Sequence, residues 1–134
     1  MNPANDYVRD FVAHTNPLNV LLAKDLMRPL DTTEETTQGH RLSKRHDYWL
    51  STDKKATIYR DTRCELQRWQ AGQDIASLKN AGTIVTANTP MRDVLEIRYD
   101  TDHSVFIEEN NKIVGFIGDK ELYHSLLGKM LIND

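Results

Sequence analysis

The sequence predicts an α+β fold in which one strand–helix–strand–strand–helix unit occurs twice. Three observations predict it. The last third of the chain follows that order, the first half repeats it more faintly, and the 134 residues are 39% hydrophobic and 28% charged, as in a globular protein. A chain of this length forms one average domain or two small modules. Because each unit alone buries little apolar surface, we expect the two to pack sheet against sheet.

The last third shows the order most clearly. The β-branched run 83–86 predicts a strand, and Pro90 opens a helix with an approximate apolar face. Asp119 caps a closing helix. The apolar stripe of that helix is Leu122, Tyr123, Leu126, Leu127, Met130 and Leu131.

Two apolar runs lie between these helices, at 104–107 and 112–117. They are separated by Asn110 and Asn111, and because asparagine tolerates positive φ the pair predicts a tight hairpin. Neither run alternates with polar residues, so both strands are expected to be buried on two faces.

The first half gives weaker signals. The predicted elements are a strand at 20–22, a helical turn at 23–27, a weak helix at 31–45, strands at 48–50 and 56–59, and partly helical structure over 62–80 with a break at Gly72. Asp53, Lys54 and Lys55 form the turn between the two strands. The agreement with the last third lies in the order of elements more than in the residues.

A separate helix is predicted at the N-terminus. Asn2 suits the N-cap and Pro3 the first helical position, and Asn16 before Pro17 ends the helix. Its apolar stripe is Ala4, Tyr7, Val8, Phe11 and Val12. Such a stripe must pack either on this chain or on a preceding domain.

Composition excludes several classes of protein. No apolar run approaches the ~18 residues that a membrane span needs, and polar residues stand where a signal peptide would be apolar. The single cysteine, Cys64, rules out an internal disulfide and suits a reducing compartment. A net charge of −3 argues against a nucleic-acid partner.

The charge is distributed unevenly. Residues 40–70 carry a net charge of +4 between flanks of −3 and −4. Either this segment is a solvated surface that folds back on its acidic neighbours, or it is a patch for a phosphate, a nucleotide or an anionic lipid surface. The candidate basic patch consists of Arg41, Lys44, Arg45, Lys54 and Lys55.

Two other kinds of site have weaker support. His40 and His46 with Asp47 form a metal-ligand set on paper, but exposed polar residues on a basic loop explain them better. Cys64 has no local signature of a nucleophile and is better explained as a small buried or half-buried thiol. We therefore expect the chain to have no catalytic residue and no metal site, and not to be an enzyme.

An aromatic cage for a quaternary amine is a further alternative. Its candidates are Tyr48, Trp49, Tyr59 and Trp69. Nearby Arg60, Arg63 and Arg68 disfavour a cationic ligand, so core and interface positions explain these rings better.

The residues resemble a tandem pair of CBS modules. The second module, over 81–134, carries the clearer match in Pro90–Leu95, 104–108 and Lys112–Ile117. The first, over 18–80, is degenerate: it keeps the run 23–27 and lacks the glycine usual in its third strand. The resemblance implies a β-α-β-β-α pair that forms homodimers.

The segment Asn2–Val12 resembles a junction in glycine betaine/proline (quaternary amine) ABC importers, where the ATP-binding subunit continues into its C-terminal CBS pair. Residues 1–17 would then be a linker helix from a preceding ATPase domain. The chain has no Gly-x-x-x-x-Gly-Lys-Ser/Thr loop, so by itself it cannot bind ATP as that domain does.

The resemblance also implies an adenosine-nucleotide site. The family motif falls on Gly115–Glu121, where Gly118 replaces the phosphate-binding hydroxyl and Glu121 replaces the ribose-binding aspartate. The residues implied are Ile84, Val85, Thr86, Ile117, Gly118 and Glu121. A carboxylate at Glu121 retains the capacity to accept from ribose hydroxyls, whereas Gly118 removes a donor.

The function implied is regulation of an osmoprotectant importer of the glycine betaine, proline or choline type. The module would respond to ionic strength or a ligand, at the cytoplasmic face of the membrane, with the ATPase domain, the membrane subunits and an anionic lipid surface as partners. Two alternatives stay open: a module that senses an adenine nucleotide or a cyclic dinucleotide, and a purely structural dimerisation domain.

Overall fold

The computed structural model describes residues 17–133, and these form an α+β structure with two five-stranded sheets. The predicted α+β class is confirmed. The N-terminal helix expected over residues 2–16 lies outside the described residues. In chain order the elements are α1 (Pro17–Val20), α2 (Ala23–Leu26), β1 (Arg28–Pro29), β2 (Glu35–Thr36), β3 (Gly39–Arg41), β4 (Tyr48–Leu50), β5 (Ala56–Tyr59), β6 (Thr62–Glu65), β7 (Gln67–Arg68), β8 (Thr83–Thr86), α3 (Met91–Thr101), β9 (Val105–Glu109), β10 (Lys112–Ile117) and α4 (Asp119–Asn133). Short 3₁₀ turns occupy Leu30–Thr32 and Ile75–Ser77.

The first sheet, which we call the mixed sheet, has the strand order β1-β10-β9-β8-β7. Strand β8 runs parallel to β7 and β9, whereas β10 is antiparallel to β9 and β1. The parallel step from β8 to β9 requires a crossover, and α3 supplies it. Two strands of the first half of the chain, β1 and β7, therefore form the edges of a sheet whose centre comes from the last third.

The second sheet is a meander of five antiparallel strands, β2-β3-β4-β5-β6, which we call the meander sheet. Strands β5 and β6 are joined by Arg60 and Asp61, at φ 49° and 68°. Two consecutive residues at positive φ make the tight turn whose twist suits an antiparallel hairpin.

Helices cover one face of the mixed sheet. Val85, Val105, Ile107 and Ile117 point to this face and are at most 2% exposed. They pack against residues of α2, α3 and α4, namely Ala23, Leu26, Met91, Val94, Ile97 and Leu122. Within residues 17–133, no helix has both the length and the hydropathy to cross a membrane.

The meander sheet covers the opposite face. Alternate residues of the same strands point there, and Phe106 and Phe116 are at most 1% exposed. They pack with Ile84 and Ile113, and with Leu42 and Leu50 from the meander side. The result is three layers: helices, mixed sheet and meander sheet. Burial on both faces explains why the two hairpin strands carry no polar alternation, as predicted.

The last third matches its predicted elements. The order strand, helix, strand, strand, helix is present over 83–133, and Asn110 and Asn111 form the hairpin turn at φ 53° and 63°. Strands β4 and β5 and helix α2 also lie where they are predicted.

The first half departs from its predicted order. Residues 20–22 belong to the end of α1 and a single bridge from Leu22 to Pro90, instead of a strand. The helix predicted over 31–45 is wrong, because this segment forms β2, β3 and their turns. The partly helical structure predicted over 62–80 is limited to one 3₁₀ turn, since the segment otherwise contains the strands β6 and β7. Both segments lack an apolar stripe at helical spacing, so packing against the sheets decides their conformation.

Gly39 shows why a helix cannot form at 31–45. It adopts φ 129°, a value that L side chains rarely take, at the start of β3. A Cβ atom at this position would overlap the carbonyl oxygen of Leu50 on the neighbouring strand β4. The glycine therefore permits the close approach of β3 to β4 that builds the meander sheet.

Candidate functional site

The motif predicted to bind a nucleotide lies where β10 ends and α4 begins. The backbone N–H of Gly118 donates a hydrogen bond of 2.9 Å to Oε1 of Glu121. This carboxylate thus satisfies an unpaired amide at the helix N-terminus. One oxygen of the carboxylate that is predicted to accept from a ribose therefore already accepts from the chain's own backbone.

Of the other predicted nucleotide-binding residues, Ile117 and Gly118 lie beside Glu121 at the end of β10, whereas Ile84, Val85 and Thr86 do not share one surface with it. Ile117 is level with Val105 and Thr83, at the start of β8, whereas Thr86 is three residues further along that strand and level with Glu108. Ile84 and Val85 are buried on opposite faces of the mixed sheet, towards the meander and the helices respectively. The six residues therefore form no common surface.

Next to this motif, Arg98 links the two long helices. Its Nη2 lies 3.1 Å from Oδ2 of Asp119 and its Nη1 lies 3.5 Å from Oδ1 of Asp102. Its Nε is buried and has no hydrogen-bond partner among the described residues. Burial lowers the pKa of neighbouring His103, with the positive charge of Arg98 adding to the effect and Asp102 opposing it.

Tyr48 connects the meander sheet to the same corner. Its Oη accepts a hydrogen bond of 3.4 Å from the backbone N–H of Ser104, which precedes β9. Burial raises the pKa of the Tyr48 phenol above its ordinary value of 10.0. The phenol therefore stays protonated and serves as a fixed contact between the two sheets.

The five residues of the predicted basic patch lie at both ends of the meander sheet. Lys44 and Arg45 are exposed in the loop between β3 and β4, whereas Lys54 and Lys55 lie in the turn between β4 and β5. In an antiparallel meander these connections are at opposite ends of β4. Arg41 lies on β3 over the ring of Trp49, 5.3 Å from its centroid. The charges thus form two separate groups.

Arg60 belongs to the group with Lys44 and Arg45, although the sequence prediction did not include it. It is exposed in the turn from β5 to β6, and its backbone N–H donates to the carbonyl of Asp47, at 3.1 Å. Its guanidinium lies 5.0 Å from the centroid of the Tyr59 ring. The hairpin pairing of β4 with β5 brings these loops together. Counting charges along the sequence does not show that they are adjacent.

The aromatic residues do not form a cage. Tyr48 and Tyr59 meet edge to face at 5.7 Å, while Trp49 points to the other side of β4 and donates from Nε1 to Asp47 at 2.6 Å. Trp69 is buried in the helix-side core and donates from Nε1 to the carbonyl of Gln73 at 3.0 Å. Each ring therefore has a packing or hydrogen-bonding role of its own.

The histidines and the cysteine are also apart. His40 is buried with Nδ1 2.9 Å from Thr33 Oγ1, whereas His46 is exposed against the Tyr59 ring. Cys64 is half-buried on β6. No group of three or more potential metal-ligating side chains occurs among the residues that the structure describes.

A cleft of about 500 Å³ lies between the two sheets, at the end where β4 turns into β5. Leu66, Ile84 and Ile113 line it with apolar surface. Lys54 and Lys55 line it from the meander sheet. Arg68, Glu108 and Asn111 line it from the mixed sheet. The sequence prediction missed this cleft because its residues come from four separate segments.

The turn that carries the two lysines is held by Asp53. One oxygen of this carboxylate accepts from the Ser51 hydroxyl and from the Lys55 backbone N–H, at 3.1 Å in the latter case. The other accepts from Nη2 of Arg63 at 3.1 Å. These donors, led by the Ser51 hydroxyl, lower the pKa of Asp53 from 3.8 to about 2. The carboxylate is therefore ionised at neutral pH, and its three hydrogen bonds hold the turn, in which Lys54 adopts φ 57°.

Arg68 and Glu108 form the opposite wall of the cleft. Two hydrogen bonds of 2.7 Å join the guanidinium to the carboxylate. This bidentate contact lowers the pKa of Glu108 and raises that of Arg68. Both charges are thereby compensated within the wall.

A second cleft, of about 450 Å³, lies between α3 and the loop after β7. It is acidic, because Asp93, Glu96 and Asp100 of α3 and Asp74 of the loop line it. The i, i+3 and i+7 spacing places the three helical carboxylates on one face. Asp74 Oδ1 accepts from the Ala76 backbone N–H at 3.0 Å and so caps the 3₁₀ turn.

Comparison with known proteins adds no family. No protein-family model matches the chain. No curated protein matches it either.

Proposed function

We propose that this chain is a non-catalytic regulatory module of the ATP-binding subunit of a quaternary amine ABC importer, and that 83–133 is its CBS-like unit. The observation that carries the proposal is the arrangement of β8, α3, β9, β10 and α4. Here β8 is parallel to β9, β10 is antiparallel to β9, and helices cover one face. The resemblance of Asn2–Val12 to the junction after the ATPase domain supports the same assignment.

In this proposal the meander sheet takes the place of a second complete CBS-like unit. It covers the face of the mixed sheet opposite the helices, through the cluster around Phe106 and Phe116. Strands β1 and β7 extend the CBS-like unit at both edges. Residues 18–80 therefore serve as a scaffold that covers the mixed sheet. They resemble the unit 83–133 less than the predicted order of their elements implied.

A homodimer formed through the helical layer is part of the proposal. Tyr99 on α3 is 86% exposed, and Tyr123 and Leu127 on α4 are 63% and 57% exposed. Tyr123 and Leu127 are four residues apart on α4 and so share one face of that helix, and adjacent exposed apolar side chains are typical of a contact surface. A dimer would place two modules, and hence two ATPase domains, in a fixed relation.

The basic loops supply the candidate ionic sensor. Lys44, Arg45 and Arg60 are exposed at one end of the meander sheet, and Lys54 and Lys55 lie at the other. An anionic inner leaflet attracts such loops at low salt, and salt screens the attraction as the Debye length falls from ~10 Å at 0.1 M to ~3 Å at 1 M. The module would then act on transport because its two states differ in affinity for the lipid surface.

Regulation by an adenine nucleotide has less support. Glu121 is engaged by the Gly118 N–H, and Thr86 lies at the other end of β8. Gly118 carries no hydroxyl for a phosphate. The ionic hypothesis needs only the exposed loops and is therefore favoured.

Transport in proteoliposomes tests the proposal. The importer carrying this module is reconstituted in vesicles with anionic lipid, and uptake of glycine betaine is measured against potassium chloride concentration. We expect K44Q/R45Q to lower the salt concentration of half-activation, because weaker lipid binding is released by less salt. The matched variant K24Q/K120Q removes two exposed lysines from the helical layer. Equal activation curves for K44Q/R45Q and the unmodified importer would contradict the ionic role of this loop.

A further inference from the structure

We propose that the cleft between the two sheets binds a small organic anion, an apolar body that carries one phosphate or carboxylate group. The inference goes beyond the regulatory function and does not depend on it. It is drawn from the apolar lining, the fixed turn and the uncompensated charge of the cleft.

The apolar surface comes first. Leu66, Ile84 and Ile113 line a space of about 500 Å³. Small-molecule sites in proteins are clefts of a few hundred cubic ångströms that are lined mainly by apolar groups, with a few polar groups to fix orientation. The volume lies in this range, and three of the ten lining residues are apolar while seven are polar or charged, so the cleft suits a small ring or a short hydrocarbon body that carries a charged group.

The charge balance selects the sign of the ligand. Six ionisable side chains line the cleft: Asp53, Lys54, Lys55, Glu65, Arg68 and Glu108. Arg68 is paired with Glu108, and Asp53 is paired with Arg63. Among the described residues, Lys54, Lys55 and Glu65 have no ion pair within 4.0 Å. The six lining charges balance, three positive against three negative, but Arg63, which lies outside the lining, compensates Asp53, so the groups around the cleft carry one excess positive charge.

The two lysines are presented by a fixed turn. Asp53 holds the turn through Ser51, the Lys55 backbone and Arg63. A backbone ordered before binding reduces the entropy that a ligand must overcome. Lysine is a compact point charge with three donors, which suits a phosphate or carboxylate of variable orientation. An anion held by Lys54 and Lys55 would therefore lie with its apolar body against the mixed sheet.

Binding would join the two sheets. The ammonium groups belong to the meander sheet, whereas Ile84 and Ile113 belong to the mixed sheet. A ligand that contacts both layers binds only when they are packed together, so it must stabilise the folded chain.

The test uses the 134-residue chain and four probes at constant ionic strength: phenyl phosphate, benzoate, inorganic phosphate and benzyl alcohol. Binding is followed by ¹H–¹⁵N NMR titration and by the thermal transition. We expect phenyl phosphate or benzoate to shift the amides of Lys54, Lys55, Arg68 and Asn111. We also expect a rise in Tm of roughly 3–6 °C at tenfold excess over Kd. The two arms distinguish a phosphate ligand from a carboxylate ligand.

Inorganic phosphate and benzyl alcohol each supply half of the ligand, so each should bind at least tenfold more weakly. The variant K54Q/K55Q should weaken binding of the better aryl anion at least tenfold, whereas K24Q/K120Q removes the same charge from the helical layer and should leave Kd within twofold. Equal weakening by both variants, unchanged binding in K54Q/K55Q, or binding of inorganic phosphate as tight as that of the aryl anions would each overturn the proposal. So would an absence of shifts at the cleft.

Discussion

Arg68 and Glu108 are 40 residues apart in the sequence, yet their side chains meet through two hydrogen bonds of 2.7 Å. The pair spans the parallel strand β8, because Arg68 lies on β7 and Glu108 on β9. It thus ties an edge strand from the first half of the chain to the centre of the mixed sheet. The same pair forms one wall of the cleft between the sheets.

Loss of this pair should lower the free energy of unfolding only slightly, but the effects of the two substitutions on that free energy should depend on each other. Arg68 is 58% exposed at its side chain, so solvent screens the interaction and we expect R68Q to lower the free energy of unfolding by about 0.5–1 kcal/mol. E108Q should act similarly. In a urea-unfolding double-mutant cycle the combined variant should lose less than the sum of the two. Strict additivity would show that the contact contributes nothing in solution.

Acid should weaken the fold through two carboxyl groups. The pKa of Asp53 is lowered from 3.8 to about 2, and that of Glu108 is lowered from 4.5 by Arg68. A carboxyl whose pKa is lower in the folded state stabilises the fold above its unfolded pKa, and that stabilisation is lost as pH falls through the folded value.

We therefore expect these two groups to give the Tm no pH dependence near neutral pH, where both are fully ionised, and to lower the Tm as the pH falls from the ordinary carboxyl range towards about 2. Thermal unfolding monitored by circular dichroism measures this directly. The variant D53N/E108Q should start from a lower Tm and show a flatter acid limb. An unchanged acid limb in that variant would assign the loss to other carboxyl groups.

Gly39 should be intolerant of a side chain. A Cβ atom there would overlap the Leu50 carbonyl oxygen, and φ is 129°. We expect G39A to lower the free energy of unfolding by about 3 kcal/mol, from strain and overpacking together. Gly72 is the matched control, since its φ is 92° but nothing lies within 4 Å of the added Cβ. G72A should cost about 1 kcal/mol. Equal losses in denaturant titrations would refute the close approach of β3 and β4.

Phe106 should hold the two sheets together. It is fully buried in the cluster between them, with Leu50 on the meander side. F106A should cost about 3–5 kcal/mol, because it leaves a cavity at the interface of the layers. Hydrogen exchange should then show lost protection in β4 and β5 as well as in β9. Protection lost in β9 alone would mean that the meander sheet is stable independently.

An element can be predicted from the sequence when its own residues determine its conformation, and cannot when contacts with distant residues determine it. Strands β9 and β10 are continuous apolar runs around Asn110 and Asn111, so local chemistry alone defines the hairpin. Strands β2, β3 and β6 are short and polar. They are strands only because of their partners: β3 pairs with β4, β6 pairs with β5, and β2 pairs with β3. These pairings are tertiary contacts, and the strand propensities of the residues do not predict them.

The candidate site also depends on tertiary contacts, because its residues come from segments that are distant in the sequence. The basic residues are local in sequence, but the meander carries Lys44 and Lys54 to opposite ends of β4 and brings Arg60 beside the first of them. The cleft combines side chains from the turn after β4, the strands β6 to β8 and the last hairpin. A motif search cannot find such a set, because a motif is a fixed spacing between residues and the spacing between these segments is not fixed by the chemistry of the cleft.

The most direct test of the central proposal is the salt dependence of transport with and without this module. Glycine betaine uptake is measured in anionic proteoliposomes for the intact importer and for an importer whose ATP-binding subunit ends before residue 1. If the module senses ionic strength, the shortened importer still hydrolyses ATP and transports, but its uptake no longer rises with ionic strength. The same salt activation in both importers would contradict it.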